Sequence, residues 1–476
     1  MALRQEDIEN IVQQVLLQLT HEAPAAPTQR PGGAQGDWGV FERLEDAVEA
    51  AREAYPRIGT VAMRERVVTV IRRAARANAR RLAEMAVEET GMGRVEDKVK
   101  KNLLVAERTP GPEILHPSAI TGDAGLTLIE NAPWGVIASV TPSTNPAATV
   151  INNAISMLSG GNAVVFAPHP GAKRVSQETI RMLNQAIHEE TGIDNLLTCV
   201  REPSIQVAQQ LFTFPGIHLL VVTGGEAVVE AARKATNKRL IAAGAGNPPV
   251  VVDETADLAR AAQSIYDGAS FDNNIICCDE KEIIAVESIA DALKAELKRC
   301  GAVEITPQQA EAVARAVLLD YPGPNARPNP QWVGRDAHKL AEAGGFAVPP
   351  ETRLLFVDVG RDLDHVFARV EQMMPLLPLL RAKDFEEALE WAIILERGLS
   401  HTAGLHSRNI DHMDIMATRV NTSLFVKNGP HLAGLGAGGE GWTSMTISTP
   451  TGEGVTNART FVRLRRCTLV GSFRIV

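Results

Sequence analysis

Apolar residues fall three and four apart from the start of the chain. Ile8, Ile11, Val12, Val15, Leu16 and Leu19 share one helical face, with Gln13, Gln14 and Gln18 mostly opposite. Residues 21–37 follow, opening HEAPAAPTQRPGGAQG, and their Pro, Gly and Ala content reads as a flexible linker. A short amphipathic helix beyond such a linker must cover its apolar face on its own body, on another copy or in a partner's groove, and the linker favours an external partner. From Trp38 to about Arg108 the pattern is helical, in LEDAVEAAREAY and then RERVVTVIRRAARANARRLAEMAVEE. The period then changes. GVIASVTP (135–142), NAVVFAP (162–168) and IHLLVVTGG (217–225) read as strands, separated by the helical NPAATVINNAISMLSG (145–160) and VSQETIRMLNQAIHEETG. This alternation predicts an α/β fold with a parallel sheet and ligands at the strand C-termini. A second strand–helix series runs from PPVVVDE (248–254) to VNTSLFVKNG (420–429). LTLIENAPW (126–134) and the last nine residues, TLVGSFRIV, are strand-like and lie outside both series. They are expected to pair as an arm reaching a neighbouring subunit. There is no internal repeat.

Length and charge narrow the class. A chain of 476 residues exceeds one ordinary core and predicts two or three domains. With 48 Lys and Arg against 57 Asp and Glu, the net charge of −9 argues against a nucleic-acid or anionic-membrane partner. No apolar run approaches the ~20 residues that span a bilayer, and the N-terminus lacks a secretory h-region. The five cysteines, Cys199, Cys277, Cys278, Cys300 and Cys467, are odd in number and scattered, which fits a reducing cytoplasm rather than a disulfide framework. Neither a CxxC nor an HxxxH pair occurs, so no metal site is expected.

Three stretches carry candidate chemistry. GLGAGG (434–439) matches GxGxxG by letter but lacks the strand before it and the helix after it, so it reads as a loop. Thr223, Gly224 and Gly225 end an apolar strand and open a helix, where free N–H groups and the helix dipole favour a phosphate; a turn without a ligand is the alternative. In FDNNIICCDEKE (271–282), Cys277 and Cys278 stand side by side. A nucleophilic cysteine needs a lowered pKa or partial exposure, with oxyanion donors nearby. From the residues alone, a nucleophile and two small core side chains both remain open.

APWGVIASVTPSTNP, GGNAVVFAP, VVTGG, GAGNPPVVVD, FDNNIICCDEKE and EQMMPLLP occur in the order and approximate spacing of the aldehyde dehydrogenase superfamily. From about Trp38 to Val476 the chain resembles its coenzyme-A-acylating branch, the propionaldehyde and acetaldehyde dehydrogenases of bacterial microcompartments. The N-terminal helix and linker resemble the encapsulation peptide of those enzymes, which implies shell proteins as partners of residues 1–20 and a lumenal location. By this resemblance Cys277, separated from DNN by two residues, is the nucleophile, and Cys278 occupies a position with no cysteine requirement. Asn145 in STNP matches the oxyanion-stabilising asparagine; a plain helix N-cap is its alternative. Glu371 in EQMMP matches the carboxylate that holds the nicotinamide ribose. The resemblance further implies NAD and coenzyme A as co-substrates, and a homo-oligomer, dimer or tetramer. It divides the chain into a Rossmann-like coenzyme domain (38–242, with 110–134 in the oligomerisation arm), an α/β catalytic domain (243–440) and a C-terminal segment completing the arm (441–476).

Departures from the family pattern sharpen the expectation. Hydrolytic members carry a water-activating Glu where alignment on Pro249 places Ala243, and an alanine cannot act as a base. An acyl group on Cys277 then waits for a stronger nucleophile, and a thiol is the natural one. Ala167 stands where hydrolytic members carry a Lys, and Pro170 replaces a carboxylate. Ala167, Pro168 and His169 remain candidates for the coenzyme wall, with NAD or NADP left open. The reading is a ping-pong conversion of a short aldehyde, propionaldehyde favoured, into its acyl-CoA. A hydrolytic dehydrogenase and a non-catalytic shell scaffold are the rivals. Ile275, Ile276 and Thr446 are candidate pocket residues.

Overall fold

The computed structural model describes residues 37–475. The expected helix at 1–20 and all but the last residue of the 21–37 linker lie outside the described residues. The helical stretch after Trp38 includes α1 (Val61–Thr90), which Thr60 caps by accepting the Met63 N–H and which Gly91 ends at φ +65°. It is followed by α2 (Val95–Arg108), held to α1 where the Asn102 amide donates to the Ala79 carbonyl at 3.0 Å.

The first strand–helix series builds a six-stranded, wholly parallel sheet. Its spatial order is Val40–Phe41, Leu197–Val200, Ala163–Pro168, Val136–Thr141, Leu219–Thr223 and Arg239–Ala243. Strand order reverses between Val136–Thr141 and Leu219–Thr223, so the chain leaves these neighbours in opposite directions and opens a crevice beyond their C-termini. Two helices start there: α3 (Pro146–Ser159) and α4 (Glu226–Ala235). All fourteen residues of α3 are buried, which explains its near-continuous apolar sequence with inward Thr149, Asn152 and Asn153.

The second series forms a seven-stranded parallel sheet in the order Val303–Ile305, Leu355–Gly360, Leu376–Ala382, Glu282–Val286, Pro249–Val252, Thr402–His406 and Leu424–Lys427. The chain passes from the C-terminal end of the first sheet at Ala243 to the N-terminal end of the second at Pro249 in five residues. Those two ends therefore meet.

The expected arm is a three-stranded antiparallel sheet of Ser118–Gly122, Gly125–Pro133 and Val462–Val470, with Leu126 opposite Leu469 and Leu128 opposite Cys467. Its last strand lies upstream of the expected one: Val462–Val470 pairs, and the strand stops at Gly471, whose φ of +73° is unsuited to extended pairing. Between the second sheet and the arm, Met445, Ile447 and Phe461 bury in the same core as the first sheet. GLGAGG begins in the last two residues of a 3-10 helix (His431–Leu435) and continues as a loop, with Gly436 and Gly438 at positive φ and no helix directly following.

Candidate active site

A cavity of about 550 Å³ lies where the two sheets meet. The nine residues expected to act in catalysis or coenzyme binding all line it: Asn145, Ala167, Pro168, His169, Thr223, Gly224, Gly225, Cys277 and Glu371. The first seven come from C-terminal strand ends of the first sheet. Cys277 and Glu371 precede the second sheet's strands Glu282–Val286 and Leu376–Ala382. Residues far apart in sequence thus converge because two sheets present opposite ends to one crevice.

Cys277 is delivered by an unusual turn. Asp272, Asn273 and Asn274 all have positive φ, at 47°, 57° and 63°, a left-handed run that costs about 1 kcal/mol or more per residue without glycine. Each side chain is bound. Asp272 accepts the Arg94 N–H at 2.8 Å and the Lys98 ammonium at 3.0 Å. The Asn273 amide donates to the Gly334 carbonyl and to Asp336, both at 2.9 Å. The Asn274 amide donates to the Ala269 and Glu280 carbonyls, both at 2.9 Å, while Lys281 donates to the Asn274 carbonyl at 2.8 Å. This explains why polar residues precede an apolar run here: the turn is held by side chains that sheet residues could not supply.

The two adjacent thiols then separate. Cys277 is half-buried and faces the cavity, whereas Cys278 is fully buried among core residues, its carbonyl 3.1 Å from His431 Nδ1. Desolvation pushes the Cys277 thiol up to about 12, with the Glu371 carboxylate adding to the rise and Lys281 opposing it. At neutral pH the group is a thiol, so it must lose its proton as it attacks or be helped by positive charge brought into the cavity.

Asn145 occupies the N-cap position of α3, yet its side chain makes no capping hydrogen bond. Its Oδ1 accepts from the Lys101 ammonium and its Nδ2 donates to Thr144 Oγ1 at 3.1 Å. The plain-cap alternative does not describe it. Glu371 is the only carboxylate among the cavity-lining residues. Burial raises its pKa, with Lys281 and the Gly246 N–H pulling the other way.

The remaining candidates form the far wall. Ala167 and Pro168 end their strand, and His169 Nδ1 accepts the Gly171 N–H at 3.0 Å, which leaves Nε2 as the ring's free position. Gly224 donates its N–H to the Ala243 carbonyl at 3.1 Å, so it is not a free anion donor as expected. The helix that follows returns its Val228 N–H to the Gly225 carbonyl at 3.0 Å. A Cβ added at Gly225 would meet nothing within 4 Å. Ala243 closes its strand, and the cavity wall beside it is Gly244 and Ala245, neither able to take a proton. Of the three pocket candidates only Ile275 lines the cavity; Ile276 packs into the core and Thr446 is buried, donating to Asn153 Oδ1 at 3.0 Å.

Two features went unread in the sequence. Lys98 and Lys101 of α2 are buried behind Asn145, and Gly246 packs against the Cys277 carbonyl and the buried ring of His401. A signal for the lysines existed: they stand at helical spacing with Val105, on the face of α2 that goes inward. Burial pulls Lys98 down to about 8, against the opposing pull of Asp272.

The aldehyde dehydrogenase family model matches residues 39–313. An acetaldehyde dehydrogenase (acetylating) of Bilophila wadsworthia is 67% identical over 484 aligned residues, covering the whole of both chains. The solved structure of a propionaldehyde dehydrogenase from the Clostridium phytofermentans fucose utilisation microcompartment is 42% identical, with a TM-score of 0.89 over 92% of this chain and 100% of that one. A Rhodopseudomonas palustris propionaldehyde dehydrogenase, solved with bound CoA and an acylated cysteine, is 44% identical, with a TM-score of 0.87 over 91% and 98%. This chain, with its twin parallel sheets and a cysteine at their junction, belongs to the aldehyde dehydrogenase family.

Proposed function

We propose that this protein oxidises a short aldehyde with NAD+ and passes the acyl group to coenzyme A. The observation that carries the reading is a cavity that joins the Cys277 thiol and the Asn145 amide with a wall at Gly244 and Ala245, next to Ala243, that offers no base. Cys277 Sγ attacks the aldehyde carbonyl as its proton leaves, giving a thiohemiacetal oxyanion at which the Asn145 amide and the Cys277 N–H are the donors. NAD+, when bound, accepts the hydride as that oxyanion collapses. The acyl group is then held as a thioester on Cys277. A coenzyme A thiolate attacks the carbonyl carbon and the Cys277 thiolate departs, so one thioester replaces another and the step is reversible. The cavity fits a dinucleotide: it is apolar, glycine-lined at α4, and carries one carboxylate, Glu371, for a ribose hydroxyl. Thr223, Gly225, Ala167, Pro168 and His169 form its coenzyme wall.

Acetaldehyde ranks before propionaldehyde as substrate, because identity is 67% to the acetylating relative and 42% to the propionaldehyde enzyme of known structure. The arm is proposed as a homo-oligomer contact, since Ile120, Leu464 and Leu469 are 61%, 72% and 45% exposed. Residues 1–20 are proposed to bind shell proteins and bring the enzyme into a microcompartment lumen; deleting them should abolish recruitment to shells. Among the described residues no helix is long and apolar enough to cross a membrane.

The test is NADH formation from each aldehyde with and without coenzyme A, with Cys277→Ala as control. Sustained turnover should require coenzyme A, and acyl-CoA should be the product. Equal turnover without it, with carboxylate released, would mean that water resolves the acyl enzyme and would overturn the reading of the missing base.

A further inference from the structure

Behind Asn145 lies a buried charge cluster that the reaction as described does not use. Lys98 and Lys101, one helical turn apart on α2, are 3% and 2% exposed, and both reach the same carboxylate oxygen of Asp272, which is fully buried. Each lysine also reaches forward to the loop at the start of α3. Lys98 Nζ donates to the Thr144 carbonyl at 3.1 Å, and Lys101 Nζ donates to Asn145 Oδ1. Asp97 completes the cluster, accepting the Asp272 N–H at 3.1 Å and Arg353 at 2.8 Å.

One ammonium suffices to neutralise Asp272. Burying a second is costly unless its bonds do something a neutral side chain could not. The extra bond that Lys101 makes goes to the amide oxygen of Asn145. An ammonium only donates, so it admits Oδ1 and rejects Nδ2, which removes the flipped orientation of the amide. The cation also draws electron density toward Oδ1 and makes the Nδ2 hydrogens stronger donors. Meanwhile Asp272 begins the left-handed turn that presents Cys277. Lys101 therefore touches both parts of the site, the amide and the turn.

We propose that Lys101 is a positioning residue for the oxyanion hole: its ammonium, bridging Asp272 and Asn145, orients the Asn145 amide and locks it in register with the Cys277 turn. This rests on the reading of Asn145 as an oxyanion donor. It gives Lys101 no contact with substrate.

The experiment is a double-mutant cycle on the full-length enzyme, with Lys101→Met, Asn145→Ala and both together, and Lys101→Arg as the conservative variant. Lys101→Met keeps an unbranched side chain, one atom shorter and uncharged, and leaves Lys98 to pair with Asp272. The expected result is a fall in kcat of about 10- to 100-fold for Lys101→Met, with the KM for NAD+ unchanged and partial rescue in Lys101→Arg. In the Asn145→Ala background Lys101→Met should cost less than about threefold more, because its effect passes through the amide. An equal loss in both backgrounds, or none in wild type while Asn145→Ala lowers kcat, would overturn the proposal and leave Asn145 standing. An unaffected kcat in Asn145→Ala would remove the oxyanion reading and this one with it. Should Lys101→Met not fold, Lys101→Gln enters the same cycle, with thermal midpoint and NAD+ affinity as its checks.

Discussion

Cys277 is a reluctant nucleophile at rest. Burial and then Glu371 hold its thiol up at about 12, far above the pH at which an enzyme works. In the coenzyme-free protein the thiolate fraction should therefore rise about tenfold per pH unit from 7 to 9 without levelling off. Alkylation by iodoacetamide, followed on the Cys277 peptide by mass spectrometry, should rise in the same way; a plateau near pH 8 would contradict it. Replacing the negative Glu371 by Gln removes a contribution that favours the thiol, so alkylation at pH 8 should be faster by up to about tenfold, one pKa unit. Cys278 should stay unmodified in both proteins, since it is fully enclosed in the core. These contrasts turn on which side of the backbone each sulfur occupies; in the sequence only the spacing from DNN, through the family resemblance, tells the two apart.

Between elements, two glycines make opposite predictions. Gly225 has an ordinary φ of −63° and open space where a Cβ would go, so Gly225→Ala should leave the thermal midpoint unchanged. The added methyl would stand at the mouth of α4, and the KM for NAD+ should rise. At Gly246 a Cβ would lie 2.5 Å from the Cys277 carbonyl and 3.0 Å from His401. Gly246→Ala should displace the cysteine turn, lowering both kcat and stability by thermal denaturation. The cavity itself was legible because its walls are strand ends, and Thr223–Gly225 and Ala167–His169 each announce one by an apolar run that stops at a turn. Lys98 and Lys101 were missed, because DKVKKN reads like a solvated helix face unless its spacing with Val105 is weighed, and their partner Asp272 lies some 170 residues away. Gly224 was misread for a similar reason: its N–H is taken by the Ala243 carbonyl of a neighbouring strand, a pairing set by sheet order rather than by the local turn.

For the whole molecule, the arm predicts association. If Ile120 and Leu464 lie between copies, changing both to Asp should lower the molar mass seen by light scattering while the isolated subunit keeps its fold; an unchanged mass would exclude the arm as the contact. The alternation of strands and helices predicted the first parallel sheet and marked out the second strand–helix series, whereas the end of the arm strand was displaced because pairing with Gly125–Pro133, a long-range event, decides where Val462–Val470 starts and stops. The route of the chain through the first sheet has a further consequence, for biosynthesis. Strands from 40 to 243 emerge early, yet their core closes only when Met445, Ile447 and Phe461 arrive. A nascent chain of 440 residues already contains Cys277, Asn145 and Glu371 and still lacks a finished interior. A chain cut before Met445 should therefore be digested by protease faster than the full-length protein and show no aldehyde turnover, although Cys277, Asn145 and Glu371 are all present.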